Sequence, residues 1–267
     1  MISVAVDSLG VMAPGLPGWQ IALPLLRGEA PYQPEALPPL KPDSLKPNER
    51  RRTTQTIKLA LVAADDALQQ IERPAELLSV FASSDGDLEI VNRICHALSQ
   101  AERPVSPTHF HNSVHNAPAG YWSIAYGYRQ ASTSIGGIHG SFSAGLLEAA
   151  VQAVCEAKPV LLVAYDLPSP DPLSELIPSH PPFATALLLS PTSPDETNPA
   201  RLATLNLQPV AETRETALTS QAMEQLRQSQ PSARALPLLS ALARQQATHI
   251  VLPYLPDLGL SLEVTPC

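Results

Sequence analysis

Residues 132–150, STSIGGIHGSFSAGLLEAA, hold the side chains whose types and spacing are best suited to chemistry. A strand-like run, Ser132 to Ile135, leads into a corner with three glycines, and an alanine-rich segment leaves it. Strand, sharp turn and helix is the geometry that raises a nucleophile above a sheet, beside free backbone N–H groups. His139 stands at this corner, where a Cys or Ser nucleophile is expected.

The imidazole of His139 could serve as a base or as an acyl acceptor, since the N-terminal amides of the next helix would face it. However, the dipole of that helix disfavours a cationic imidazole at this position. No acidic residue lies close in sequence to orient the ring. We therefore favour a residue that fills its site and forms ordinary hydrogen bonds.

Ser141 and Ser143 offer an alternative from another class, an acyltransferase or hydrolase with His139 as its base. Their pattern is S-x-S-x-G, whereas the nucleophile elbow of hydrolases reads G-x-S-x-G. Both serines fall in the first turn of the predicted helix, where serines commonly cap or pack the N-terminus. The enzymatic alternative is disfavoured but stays open.

The other candidate ligands give no cofactor signature. His109, His111 and His115 lie in a polar stretch without a carboxylate or thiolate at metal-ligand spacing. A phosphate-binding loop and a dinucleotide fingerprint are both absent from the sequence. We therefore expect no metal and no cofactor.

Composition argues against several classes of function. The net charge of −8 disfavours nucleic-acid binding, which needs a basic face, and no apolar run is long enough to span a membrane. The basic cluster Arg50-Arg51-Arg52 is expected to begin a helix, as its solvated end, with contact to an acidic partner as the alternative. The cysteines lack disulfide or zinc spacing, which indicates a reducing compartment, by default the cytoplasm. Cys95 and Cys155 are expected to be small buried side chains.

The hydrophobic periodicity predicts an α/β fold in a single domain of residues 1–267, with a mostly parallel central sheet covered on both faces. Strands are predicted at 2–8, 77–83, 132–135, 159–166, 183–190, 202–209, 250–253 and 260–264. Helices are predicted at 20–27, 53–70, 88–101, 119–127, 219–228 and 236–246, and after the corner to about 150. The strands at 183–190 and 202–209 are expected to be neighbours, and 103–116 is expected to be irregular.

Residues 106–150 resemble the β-ketoacyl synthases of the thiolase fold. In those enzymes a loop ending in Asn-x-Ala-Ala-Gly precedes a helix with Ser-Ile-x-x-Gly, a strand and an Ala-Cys-x-x nucleophile corner. The matching residues here are Asn116, Ala117, Ala119, Gly120, Ser123, Ile124 and Gly127. Looser matches at 51–68, 80–88, 160–166 and 183–189 extend the resemblance over roughly residues 1–190.

The resemblance implies a thiolase-like layered fold, with the first half (1–190) retained and a truncated, reduced C-terminal half (191–267). It places His139 where the synthases have their acyl-accepting cysteine. Their two further histidines, in His-Gly-Thr-Gly-Thr and Gly-x-x-Gly-His, have no counterpart, since His249 lies in neither context. Decarboxylative condensation needs a thiolate and donors that stabilise an enolate, so we expect no condensing activity.

The resemblance also implies a non-catalytic, chain-length-factor-like subunit, as in aryl polyene biosynthesis. Such a subunit forms a heterodimer with an active β-ketoacyl synthase, and their joint interface, near 116–135 here, shapes the acyl tunnel. An acidic acyl carrier protein would dock mainly on the partner, because this chain is acidic too. A self-associating scaffold homodimer is a third interpretation. The interface or tunnel candidates are Phe110, Asn116, Tyr121, Trp122, Ser134 and Ile135, with core packing as the alternative for the aromatic ones.

Overall fold

The computed structural model describes residues 1–177, 181–192 and 201–267. The strands are β1 (Ile2–Ala13), β2 (Leu16–Pro17), β3 (Leu78–Ala82), β4 (Ser132–Ile135), β5 (Val160–Asp166), β6 (Phe183–Pro191), β7 (Ala203–Val210), β8 (Thr248–Leu255) and β9 (Leu258–Pro266). The helices are α1 (Trp19–Arg27), α2 (Pro47–Arg52), α3 (Gln55–Leu68), α4 (Leu88–Ser99), α5 (Pro107–Asn112), α6 (Ala117–Tyr126), α7 (Ser141–Glu156), α8 (Gln221–Ser229) and α9 (Leu236–Arg244). Short 3-10 turns lie at Ile138–Gly140, Leu173–Glu175 and Ser232–Ala235.

The strands form one mixed sheet in the order β4-β3-β5-β6-β1-β7-β9-β8, with β2 paired to β1. The expectation of a mostly parallel sheet is wrong, because β3 pairs in parallel with β4 and β5 while the other strand pairs are antiparallel. Parallel neighbours need a crossover helix. The α4–α6 segment and α7 provide it, whereas β5 returns to β6 through a connection that contains only a short 3-10 turn among its described residues.

The strand β1 lies at the centre of the sheet and pairs with both β6 and β7. The predicted neighbours at 183–190 and 202–209 are therefore separated, and that prediction is wrong. The buried strand is also longer than predicted, because the apolar pattern of residues 2–8 continues to Ala13. The last two strands, β8 and β9, form an antiparallel hairpin at one end of the sheet.

Helices cover both faces of the sheet, as predicted for an α/β fold. On one face α3 and α6 pack with one large apolar cluster, and on the other α1, α7 and α9 pack with a second. The helix α7 contacts β3, β5 and β6, and it also contacts β8 from the far end of the sheet. The sheet therefore curves over α7 and encloses the helix that follows the corner.

Two surface elements differ from the predictions. The stretch 103–116 is not wholly irregular, since it contains α5 with Ser106 as N-cap and Pro107 in the first turn. The arginine cluster ends the short helix α2 and does not begin a long helix.

The expectation that the helical cysteines are buried is also wrong. Cys95 is exposed because α4 lies on the surface and buries only Ile90, and Cys155 is exposed in the last turn of α7. Among the described residues, no helix is long and apolar enough to cross a bilayer.

Candidate functional site

The predicted corner folds as strand, turn and helix. β4 ends at Ile135, the 3-10 turn Ile138–Gly140 follows, and α7 begins at Ser141. Ile138 has a φ of 51°, a left-handed conformation that is strained for a β-branched residue. Its side chain is 73% exposed, so the strained residue presents an apolar group at the tip of the corner.

His139 is exposed beside this strained residue. Within the part of the chain that the structure describes, its ring forms no hydrogen bond and no ion pair. The expectation that it fills a site and forms hydrogen bonds is therefore wrong. The side chain is instead exposed, and no carboxylate among the described residues holds the ring as a base.

Of the two serines, Ser141 holds the corner together through its hydroxyl, whereas the buried hydroxyl of Ser143 has no hydrogen-bond partner among the described residues. The hydroxyl of Ser141 donates to the Ile138 carbonyl at 2.7 Å and accepts from the Gly137 N–H at 3.0 Å. Ser141 is 1% exposed and Ser143 is fully buried. Because neither hydroxyl reaches the surface or the ring of His139, the corner lacks the accessible Ser–His pair that an acyltransferase or hydrolase needs.

A buried polar cluster lies at the strand ends under the corner, and sequence reasoning missed it. Asp166, at the end of β5, accepts from the Ser83 hydroxyl at 3.0 Å, the Ser84 N–H at 2.8 Å and the Ser232 N–H at 2.9 Å. Burial raises the pKa of this carboxyl to about 6, against the lowering effect of those donors. The only sequence signal was an acidic residue that ends an apolar strand. The cluster ties β3 and β5 to the C-terminal region.

The three histidines of the 103–116 stretch separate in space. His115 reaches the corner region, with its Nε2 atom 3.2 Å from the Ser83 carbonyl oxygen. His111 instead lies edge-on to Tyr121, with ring centroids 6.2 Å apart. Across the described ranges, no group of three His, Cys, Asp or Glu side chains is placed to hold a metal ion.

A cleft of about 570 Å³ lies between α5 and α6, beside the corner strand. Two large apolar side chains in its wall are exposed, Val114 at 51% and Ile124 at 66%. Phe110, on α5, is 69% exposed nearby. The cleft is lined by Glu49, Arg52, Pro107, Thr108, His111, Val114, Asn116, Ala117, Gly120, Tyr121 and Ile124.

The predicted interface residues fall into two groups. Asn116 and Tyr121 line the cleft, Phe110 is exposed beside it, and Ser134 and Ile135 are half-buried in β4. Trp122 is 1% exposed and stacks on Tyr128 with ring centroids 5.2 Å apart. Trp122 is therefore a core aromatic and not a wall of the cleft, because its position on α6 turns it toward the sheet.

One edge of the sheet is free. β4 is the terminal strand, and its parallel register with β3 leaves the main-chain groups of Ser132 and Ser134 directed outward. At the opposite edge, Thr216 covers β8 through two hydrogen bonds of 2.9 Å with the main chain of Val251. No equivalent contact covers β4 among the described residues. A bare edge strand is a ready site for pairing with another chain.

A comparison with protein families matches residues 26–253 to the N-terminal domain of β-ketoacyl synthases. No curated protein matches the sequence.

Solved structures show the same fold. A chain of the ketosynthase ApeO in complex with its chain length factor ApeC from Xenorhabdus doucetiae superposes with a TM-score of 0.74 at 22% identity, over 98% of this chain and 100% of that one. A chain of the ishigamide ketosynthase/chain length factor gives a TM-score of 0.73 at 13% identity, over 100% and 99%. The AntDE:AntF complex, a type II PKS acyl-carrier protein with its ketosynthase, gives 0.76 at 12%, over 100% and 99%.

Proposed function

Because the chain belongs to the β-ketoacyl synthase family, we propose that it is a non-catalytic, chain-length-factor-like subunit of a condensing complex. It pairs with an active β-ketoacyl synthase in a heterodimer and bounds the tunnel that holds the growing acyl chain. The pathway is polyene or polyketide biosynthesis in the cytoplasm, of the aryl polyene type by resemblance. The observation that carries the proposal is the preserved corner, in which an exposed His139, without a partner among the described residues, replaces a nucleophile.

The chemistry of the corner supports a silent subunit. A condensing enzyme needs a thiolate and two donors that stabilise the enolate left by loss of CO₂. His139 supplies no thiolate, and His249 is paired with Ser261 in the β8–β9 hairpin at 2.8 Å. His115 is held against the main chain of Ser83. The side chains that remain serve packing, and none of them completes a condensing site in the described part of the chain.

The free edge of β4 supports pairing with a second subunit of the same fold. An antiparallel strand added at Ser132 and Ser134 would continue the sheet across the interface. The apolar cleft flanks this edge, because α6 contacts β4. Two of the similar structures are named as ketosynthase and chain length factor together, which supports an unequal pair over the scaffold homodimer.

The cleft supports a role in bounding the acyl tunnel. Its wall is largely apolar, and Tyr121 in the wall and the exposed Phe110 beside it are the side chains proposed to contact the acyl chain. Covered by the partner, such a surface would be removed from water and would suit a hydrocarbon chain. The acyl carrier protein, acidic like this chain, docks mainly on the partner in this proposal.

The acyltransferase or hydrolase alternative has no support from the geometry, since Ser141 and Ser143 lie below the surface. A fluorophosphonate probe on the isolated chain tests it directly, with Ser143→Ala as the control for the nucleophile. We expect no labelling.

Co-expression tests the main proposal. The chain is expressed with each β-ketoacyl synthase encoded in the same genome, and the purified material is assayed for a stable complex and for elongated acyl product. We expect one synthase to co-purify and to depend on this chain for solubility or for product length. The proposal fails if every synthase purifies alone, is soluble and makes its full-length product without this chain.

A further inference from the structure

Gly120 is the fourth of the ten residues of α6, at the end of its first turn, where a helix gains nothing from a glycine. Its backbone is not in the left-handed region, and a Cβ added to it would have no heavy atom within 4 Å. Glycine destabilises a helix interior relative to alanine, because it loses more backbone freedom on folding. Neither the backbone nor the packing of this chain therefore accounts for the missing side chain.

The surroundings of Gly120 indicate a contact with another protein. Gly120 is exposed in the wall of the cleft, one turn before Ile124 and across from Val114. Exposed apolar side chains that lie together mark a protein-contact surface. This surface is continuous with the free edge of the sheet, because α6 contacts both β3 and β4.

The geometry of an edge-paired dimer identifies what lies against Gly120. This step rests on the proposed heterodimer with a synthase of the same fold. Antiparallel pairing of β4 with its counterpart creates an approximate two-fold axis, so each flanking element faces its own counterpart. The helix α6 of this chain therefore faces the corresponding helix of the synthase, on the same face of the joined sheet.

We propose that Gly120 is the point where α6 crosses this helix of the β-ketoacyl synthase partner. The missing side chain lets the two backbones approach more closely than the usual 8–10 Å between packed helices. The spacing at this crossing then sets the width of the apolar cleft on either side. Gly120 is on this view a residue of the contact between the two subunits, which explains why the helix has no side chain there.

The proposal predicts opposite effects on the isolated chain and on the complex. Gly120→Ala raises the melting temperature of the isolated chain, because the methyl group favours the helix and meets no atom. The same variant binds the synthase less tightly, and Gly120→Leu weakens the complex by about 10- to 100-fold, the range that overpacking a close contact costs. Circular dichroism gives the first quantity, and titration of the purified partners gives the second.

Gln228→Leu is the control, since it places the same leucine side chain at an exposed helical position on α8, away from the cleft. It should leave the affinity unchanged. If the wild-type chain binds a synthase and Gly120→Leu, folded by circular dichroism, binds it equally well, the crossing at Gly120 is refuted while the heterodimer stands. If the wild-type chain binds no synthase, the proposed function and this inference both fail.

Discussion

The main chain of Gly140 lies directly against the carbonyl group of Tyr254. A Cβ placed on Gly140 would be 2.1 Å from the Tyr254 carbonyl oxygen and 2.9 Å from its carbonyl carbon. The corner that precedes α7 is therefore closed from one side by the backbone of β8. A glycine is required here for close approach, since its φ of −91° suits any residue.

Gly140→Ala should destabilise the protein by about 3 kcal/mol, at the upper end of what overpacking costs, because the β8 backbone must move. Chemical denaturation measures the change in the free energy of unfolding. Gly120→Ala, where an added Cβ meets nothing within 4 Å, is the control and should not destabilise. Equal stability of Gly140→Ala and the wild-type protein would show that the Tyr254 carbonyl does not restrict the space at Gly140.

His139→Ala should leave product formation by the complex essentially unchanged, because the exposed ring has no partner within the described residues. Assays of product length and turnover with the co-purified synthase measure this. His139→Cys should not create condensing activity, since no pair of histidines in the described part of the chain supports the thiolate. A collapse in turnover of the His139→Ala complex, with assembly intact, would mean that the corner is still an active site.

Ser134→Pro should weaken the heterodimer by about 10-fold or more, since it removes an outward N–H of β4 and adds a ring on the free edge. The isolated chain should keep its melting temperature, because the ladder to β3 uses the alternate residues. Thr133→Pro is the matched control. It should detach β4 from β3, because it removes the N–H of residue 133 that faces β3. If Ser134→Pro assembles normally, pairing does not run through this edge.

The stability of the chain should depend on pH through Asp166. Burial raises its pKa from 3.8 to about 6, so between these values the folded state binds more protons than the unfolded state. The contribution of Asp166 to the free energy of unfolding is therefore greatest below pH 4. It declines by about 3 kcal/mol as the pH rises through 6, since each unit of pKa difference corresponds to about 1.36 kcal/mol.

Urea denaturation of the wild-type protein and of Asp166→Asn across pH 4 to 7 isolates this effect. The difference between the two proteins should change over this window, because the amide does not titrate. Glu224, whose pKa is lowered from 4.5 to about 2 chiefly by its hydrogen bond from Arg227, loses stabilisation as the pH falls between those values, and this loss cancels in the difference because both proteins contain Glu224. A difference that is independent of pH would show that Asp166 titrates normally.

Local sequence patterns were sufficient for most elements. The apolar periodicity of α3 and the continuous run of β5 are signals carried within a few residues, and both elements form where predicted. The corner was equally local, since strand, glycines and small-residue helix are contiguous in the sequence.

Long-range relationships were not predictable in this way. The position of β1 between β6 and β7 depends on pairings across nearly 200 residues, and no local pattern encodes them. The same is true of Asp166 with Ser232, which are 66 residues apart. The close approach of Gly140 to Tyr254 is another contact of this kind. Contacts in the site were not predicted where the two residues in contact come from distant parts of the chain.

The central place of β1 has a consequence for synthesis. This strand leaves the ribosome well before β6 and β7, its neighbours in the sheet, which are encoded between residues 183 and 210. Most of its main-chain N–H and C=O groups must therefore remain without their sheet partners while the intervening chain is translated. A nascent chain of this kind is a natural client for a chaperone. The central strand β1 enters the sheet only after β6 and β7 have been synthesised.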